Sequence, residues 1–70
     1  MSDTIEVVVN GESRAVLRDG TLLDLLETLR LDPRMVVVEH NRTIVRRLSL
    51  GTVHVAPGDA IELVHFVGGG

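Results

Sequence analysis

Three consecutive glycines, Gly68-Gly69-Gly70, follow an apolar, strand-like run over residues 60–67 at the end of the 70-residue sequence. Glycine has no Cβ and reaches both signs of φ, so such a tail can lie extended in a tunnel too narrow for side chains. The pattern predicts a flexible arm whose terminal carboxylate, on Gly70, is a reactant, with Gly68 and Gly69 threading toward a partner's reaction centre. A frayed terminus is the competing expectation, since small residues and disorder collect at chain ends. Other chemistry-bearing groups are sparse. The sequence has no cysteine, which excludes disulfides, thiolate nucleophiles and thiolate metal sites. His40, His54 and His65 match no compact ligand spacing, so no metal is expected. Asp59 and Glu62 could form a carboxylate pair, but one falls in a turn and the other in a strand, with no histidine or nucleophile near. A turn-forming role for Asp59 is expected. No phosphate-cradling G-x-x-x-x-G-K-[ST] loop occurs, so nucleotide contacts must come from a partner.

The elements that would position this tail are legible from pattern. Residues 4–9 are rich in β-branched side chains, Asn10-Gly11 is a strong hairpin signal, and residues 13–17 form the returning strand. Thr21 reads as a helix N-cap with Asp24 three residues on, a capping box with Asp in place of Glu. Leu22, Leu25, Leu26 and Leu29 follow at helical spacing, which predicts a helix over 22–30 that Asp32-Pro33 ends. Met35-Val36-Val37-Val38 lies within a third strand over 34–40, and Asn41-Arg42 turns it into a short fourth over 43–45. Residues 46–56 are poorly periodic, with one brief extended piece at 52–55. Pro57-Gly58-Asp59 is a turn, and the last strand, 60–67, is apolar enough to sit in mid-sheet.

Two hairpins joined by a helix, with the first and last strands adjacent and parallel, define an α+β, β-grasp (ubiquitin-like) arrangement. It consists of a mixed sheet of four to five strands on one main helix. One domain over 1–67 with a tail at 68–70 is expected. On the last strand Ile61, Leu63 and His65 share the helix side, which leaves Val64 and Phe66 on the free face. With Val8 or Val37 from neighbouring strands, they are candidates for an apolar partner-binding patch.

Composition narrows the partners. A single small domain of this size buries about 60% of its unfolded surface, and with Phe66 the only aromatic residue its core must be aliphatic. The formal net charge is −3 and the seven arginines are mostly scattered, which argues against nucleic acid. Lysine is absent. There is no basic, apolar leader and no run of membrane-spanning length, so a cytoplasmic protein is expected and a membrane partner is not.

The chain resembles the ThiS family of ubiquitin-like sulfur carriers of thiamine (thiazole) biosynthesis over nearly its whole length. The likeness lies in Val9-Asn10-Gly11-Glu12, in Thr21-Leu22-Leu23-Asp24-Leu25-Leu26, and in Val36-Val37-Val38-Glu39-His40-Asn41. Pro57-Gly58-Asp59 and the ending Ile61-Glu62-Leu63-Val64-His65-Phe66-Val67-Gly68-Gly69-Gly70 complete it. Ile44-Val45-Arg46-Arg47 departs from a family pattern that often has proline before arginine. The resemblance implies a protein co-substrate and no enzyme. An E1-like adenylyltransferase of the ThiF type, using ATP and magnesium held in that partner, would adenylate the Gly70 carboxylate. A sulfur donor protein would convert it to a thiocarboxylate, and a ThiG-type thiazole synthase would take the sulfur. This chain itself is expected to bind no cofactor. Two other roles fit the same pattern: a sulfur-carrying small subunit like that of molybdopterin synthase, and a non-catalytic β-grasp interaction module.

Overall fold

The computed structural model describes residues 3–66. The glycine tail at 68–70, Val67 and the first two residues lie outside that range. Strand β1, Thr4–Val9, alternates exposed and buried side chains, with Ile5, Val7 and Val9 facing inward. It pairs antiparallel with β2, Glu12–Leu17. Their turn places Asn10 at φ 50° and Gly11 at φ 82°. Two successive residues in the left-handed region make the hairpin turn whose twist matches that of the strands, and Asn-Gly is the pair that adopts it most readily.

Helix α1, Leu22–Thr28, opens on the expected capping box: the Thr21 side chain accepts from the Asp24 N–H, and the Asp24 carboxylate accepts from the Thr21 N–H at 2.9 Å. It buries Leu22, Leu25 and Leu26, with Leu29 packed partly against the core. The helix ends sooner than the leucine spacing predicts. Arg30 turns to φ 58°, its N–H bonding to Glu27 O and that of Leu31 to Leu26 O. This is a Schellman closure built on arginine where glycine is usual. Asp32-Pro33 therefore does not end the helix. It starts a 3-10 turn, Pro33–Met35, in which the Asp32 side chain accepts from Arg34 N–H. The third strand, β3, accordingly begins later than expected, at Val36–His40.

β3 pairs antiparallel with β4, Thr43–Val45, and with β5, Ala60–His65. β5 also lies parallel to β1, giving the sheet order β2-β1-β5-β3-β4 with β5 in the middle. This is the arrangement the element order predicts. Residues 46–56 hold a second 3-10 turn, Arg47–Ser49, and a single bridge between Thr21 and His54. Leu50 and Val55 from this stretch enter the core although its sequence shows no period. The most deeply buried side chains are Val7, Leu22, Leu26, Val38, Leu50 and Ile61, and they lie between the helix and one sheet face. Among the described residues no helix is long and apolar enough to cross a membrane.

Candidate functional site

The side chains of β5 divide as the alternation predicts. Ile61 is fully buried and Leu63 half-buried against the core. His65, on the same side, is exposed. On the other face Val64 is 57% exposed and Phe66 43% exposed. Val64 lies directly opposite Val37, and the Phe66 N–H bonds to Met35 O. The two candidate partner-binding residues thus stand on the described chain just before the segment that leads to Gly68, Gly69 and Gly70.

Val37 belongs to this patch and Val8 does not. Val8 pairs in register with Ala60 at the opposite end of β5, and Glu62 intervenes on the same face. The patch instead extends across β3 to β4. Val37, Ile44, Leu48 and Phe66 line an open depression of about 370 Å³ together with Arg34, Arg46 and Arg47. Ile44 is 67% and Leu48 89% exposed. Arg34 holds Asp32 in a two-pronged ion pair, its Nη2 donating to Oδ2 at 2.8 Å and its Nε to Oδ1 at 3.1 Å. The side-chain bonds from Arg34, helped by its backbone N–H, lower the Asp32 carboxyl pKa to about 2. Beyond the patch, Glu39 and Glu62 are direct cross-strand partners. The free face therefore passes from an acidic pair to an apolar end bordered by arginines. By contrast, the cleft between β2 and the helix start encloses only about 30 Å³, room for roughly two waters.

The histidines do not converge, and among the described residues no group of His, Asp and Glu is arranged to hold a metal. His54 donates through Nδ1 to Asp19 O at 2.9 Å. His40, distant from Asp59 in sequence, is brought beside it by the sheet, with Nε2 donating to Oδ2 at 2.6 Å. That corrects the expectation that no histidine is near Asp59. The same carboxylate accepts from Ala56 N–H and Asn41 Nδ2, so it pins the 57–59 turn to the β3–β4 turn. Burial pushes the Asp59 carboxyl pKa up, but the bonds from His40, Ala56 and Asn41 outweigh it and hold the group below its ordinary value. Among the described residues this cluster contains no nucleophile, and a structural clamp is the role its bonds describe.

The sheet order, the single helix and the central last strand that runs toward the tail define the class: a β-grasp domain of the ubiquitin-like type. A family model described as the ThiS family matches residues 7–70. The sulfur carrier protein ThiS of Bacillus subtilis is 40% identical over 63 residues, covering 89% of this chain and 96% of that protein. A thiazole synthase of Paramagnetospirillum magneticum is 42% identical over 66 residues, and the matched stretch is 94% of this chain but 20% of that protein. The crystal structure of thiamine biosynthesis protein ThiS from Geobacter metallireducens superposes with a TM-score of 0.80 at 30% identity, covering 94% of this chain and 100% of that one. The chain belongs to the ThiS family.

Sequence pattern alone missed Ile44, Leu48 and the arginines around the depression. Their signal was the single surface-exposed Ile in β4 and the Arg46-Arg47 pair, which only the fold brings beside Phe66.

Proposed function

We propose that this chain is a sulfur carrier of thiamine biosynthesis whose reactive group is the Gly70 carboxylate. A terminal carboxyl with a pKa of about 3.3–3.7 is ionised at neutral pH, and an anion resists nucleophilic attack. In the adenylating partner, a carboxylate oxygen attacks the α-phosphorus of ATP and pyrophosphate leaves. The acyl-adenylate so formed has lost the carboxylate charge and gained a leaving group. Sulfide-level sulfur released by a donor attacks the acyl carbon and AMP leaves, which gives a thiocarboxylate that delivers its sulfur to a thiazole synthase. This chain is the co-substrate throughout, and ATP and magnesium belong to the E1-like adenylyltransferase.

The observation that carries this reading is the placement of Val64 and Phe66. Val64 stands exposed on the central strand and Phe66 directly after it, on the way to the tail, so a partner that covers them also holds the root of the tail. Family membership through residue 70 takes in the glycines. A thiazole synthase as acceptor is supported by two relatives of that name containing stretches 42% and 39% identical to this chain.

The test is ATP–pyrophosphate exchange with an E1-like adenylyltransferase from the same genome. The parent is expected to support exchange. Gly69→Val is expected to abolish it through steric block and restricted φ. Deletion of Gly70 is expected to abolish it because roughly 3.3–3.6 Å of reach is lost. Thermal unfolding of each variant separates a blocked reaction from a damaged domain, and intact mass identifies oxygen-to-sulfur exchange at the terminus. Equal exchange by all three proteins sinks the proposal.

A further inference from the structure

Strand β1 ends at Val9, where it pairs with Ile61, yet β5 continues to His65. On its β3 side β5 is secured from its start to just past its end: Asn41 N–H bonds to Ala60 O, and Phe66 N–H to Met35 O. In an antiparallel ladder alternate residues bond to alternate sides, so the backbone groups of Ile61, Leu63 and His65 face where β1 has run out. Asn10 fills part of this gap. Its backbone N–H donates to Ile61 O at 2.9 Å. Its side chain goes one step further along β5, with Oδ1 accepting from Leu63 N–H at 2.7 Å and Nδ2 donating to Leu63 O at 3.2 Å. The amide acts as an extra peptide unit of β1, folded back along β5 from a residue at φ 50°.

We infer that Asn10 is a positioning residue for the carrier reaction: its side-chain amide holds the β1-facing edge of β5 at Leu63 and so keeps the root of the reactive tail ordered. The inference rests on the carrier reading above. Leu63 immediately precedes Val64 and lies three residues before Phe66, so whatever orders Leu63 orders the docking residues and the departure of the tail together. A strand edge that frays in the free protein must be re-ordered when the partner grips it, at a cost set by backbone entropy. The Asn10 amide meets that cost during folding, before the partner arrives. Its loss therefore raises KM, whereas a change within the glycine tail acts on kcat.

Two variants separate the possibilities. Asn10→Gly keeps the positive φ without strain and removes both side-chain bonds. Asn10→Asp tolerates the same φ, keeps the acceptor for Leu63 N–H and gives up the donor to Leu63 O. The measurements are hydrogen exchange of the Leu63 amide and steady-state adenylation by the E1-like enzyme, both at a temperature where circular dichroism shows each variant folded. For Asn10→Gly, the Leu63 amide is expected to lose its exchange protection, which leaves the ordered edge populated in about one molecule in ten and raises KM for the carrier about tenfold with kcat little changed. Tenfold is equivalent to about 1.4 kcal/mol. Asn10→Asp should fall between Asn10→Gly and the parent, and it carries the test alone if Asn10→Gly does not fold. Unchanged Leu63 exchange overturns the inference, as does faster exchange with unchanged KM, which reduces the amide to a structural bond. A parent that is never adenylated refutes the carrier reading and this inference with it, an outcome told apart by the silence of the unaltered protein.

Discussion

Truncation of Phe66 to alanine removes the aromatic side chain of the apolar end of the free face, and its cost to docking can be worked from its exposure. A buried aromatic side chain accounts for about 200 Å², and Phe66 is 43% exposed in the free domain. Full coverage by a partner would remove about 85 Å² from water, worth about 2 kcal/mol at about 25 cal/mol per Å². That is about a 30-fold loss of affinity on truncation, toward the lower end of what central interface residues contribute. Val8 provides the control. It is 37% exposed on the same face but pairs with Ala60 at the far end of β5, so Val8→Ala should leave affinity unchanged. Titration calorimetry of parent, Phe66→Ala and Val8→Ala against the adenylating enzyme decides the matter. The covered part of Phe66 also supports the fold, so binding is measured where circular dichroism shows the variant fully folded. Equal affinities for parent and Phe66→Ala would remove Phe66 from the interface. Equal weakening by both substitutions would mean that docking reads general apolarity and has no localised patch.

Leu26 is fully buried, and Leu26→Ala is expected to destabilise the domain by about 2–5 kcal/mol, with Leu29→Ala costing clearly less because Leu29 is only partly buried. Urea denaturation that finds less than about 1 kcal/mol for Leu26→Ala would mean the leucine stripe is not the core. Asp59 has a carboxyl pKa held below its ordinary value, so it adds stability above the unfolded pKa of about 3.9. That stability is lost as pH falls from there through the lower folded value. Asp59→Asn should therefore be less stable than the parent at pH 7, and the gap should close in acid. Asp32, lowered to about 2 by Arg34, titrates in the same window in both proteins, so it cancels in the difference. Parallel unfolding curves of parent and variant down to about pH 2 would contradict the clamp.

What was legible in the sequence is what local spacing encodes. The Thr21–Asp24 box, the Asn10-Gly11 turn and the alternation of Ile61, Leu63, Val64 and Phe66 each reflect contacts within a few residues, and each is present as expected. The helix end is not legible, because its left-handed closing residue is Arg30, and arginine carries no signal for φ 58°. Leu50 was invisible as core because it enters from a 3-10 turn with no hydrophobic period. The Asn10–Leu63 and His40–Asp59 bonds join positions 53 and 19 residues apart, so they exist only once the sheet order is fixed. The apolar end of the free face was half legible: its β5 residues follow from alternation, but Ile44, Leu48 and the arginines join them only across strand pairing.

A small domain has little stability to spare, roughly 0.05–0.15 kcal/mol per residue, which gives weight to the features of the free face that do nothing for folding. Glu39 and Glu62 stand directly opposite each other, and like charges in that relation destabilise a sheet. Val64, Ile44 and Leu48 remain largely in water, although polar residues there would cost the core nothing. Both features make sense where a partner covers the apolar end and meets the charges. Arg46 and Arg47 border that end in a chain whose net charge is −3, so the complementary surface should be acidic around an apolar centre. Such charges act mainly on encounter rate and orientation. Because β5 runs from the fully buried Ile61 to the exposed Val64 and leads directly to Phe66, the strand that locks the core also carries the proposed docking face, and Asn10 holds it midway, at Leu63.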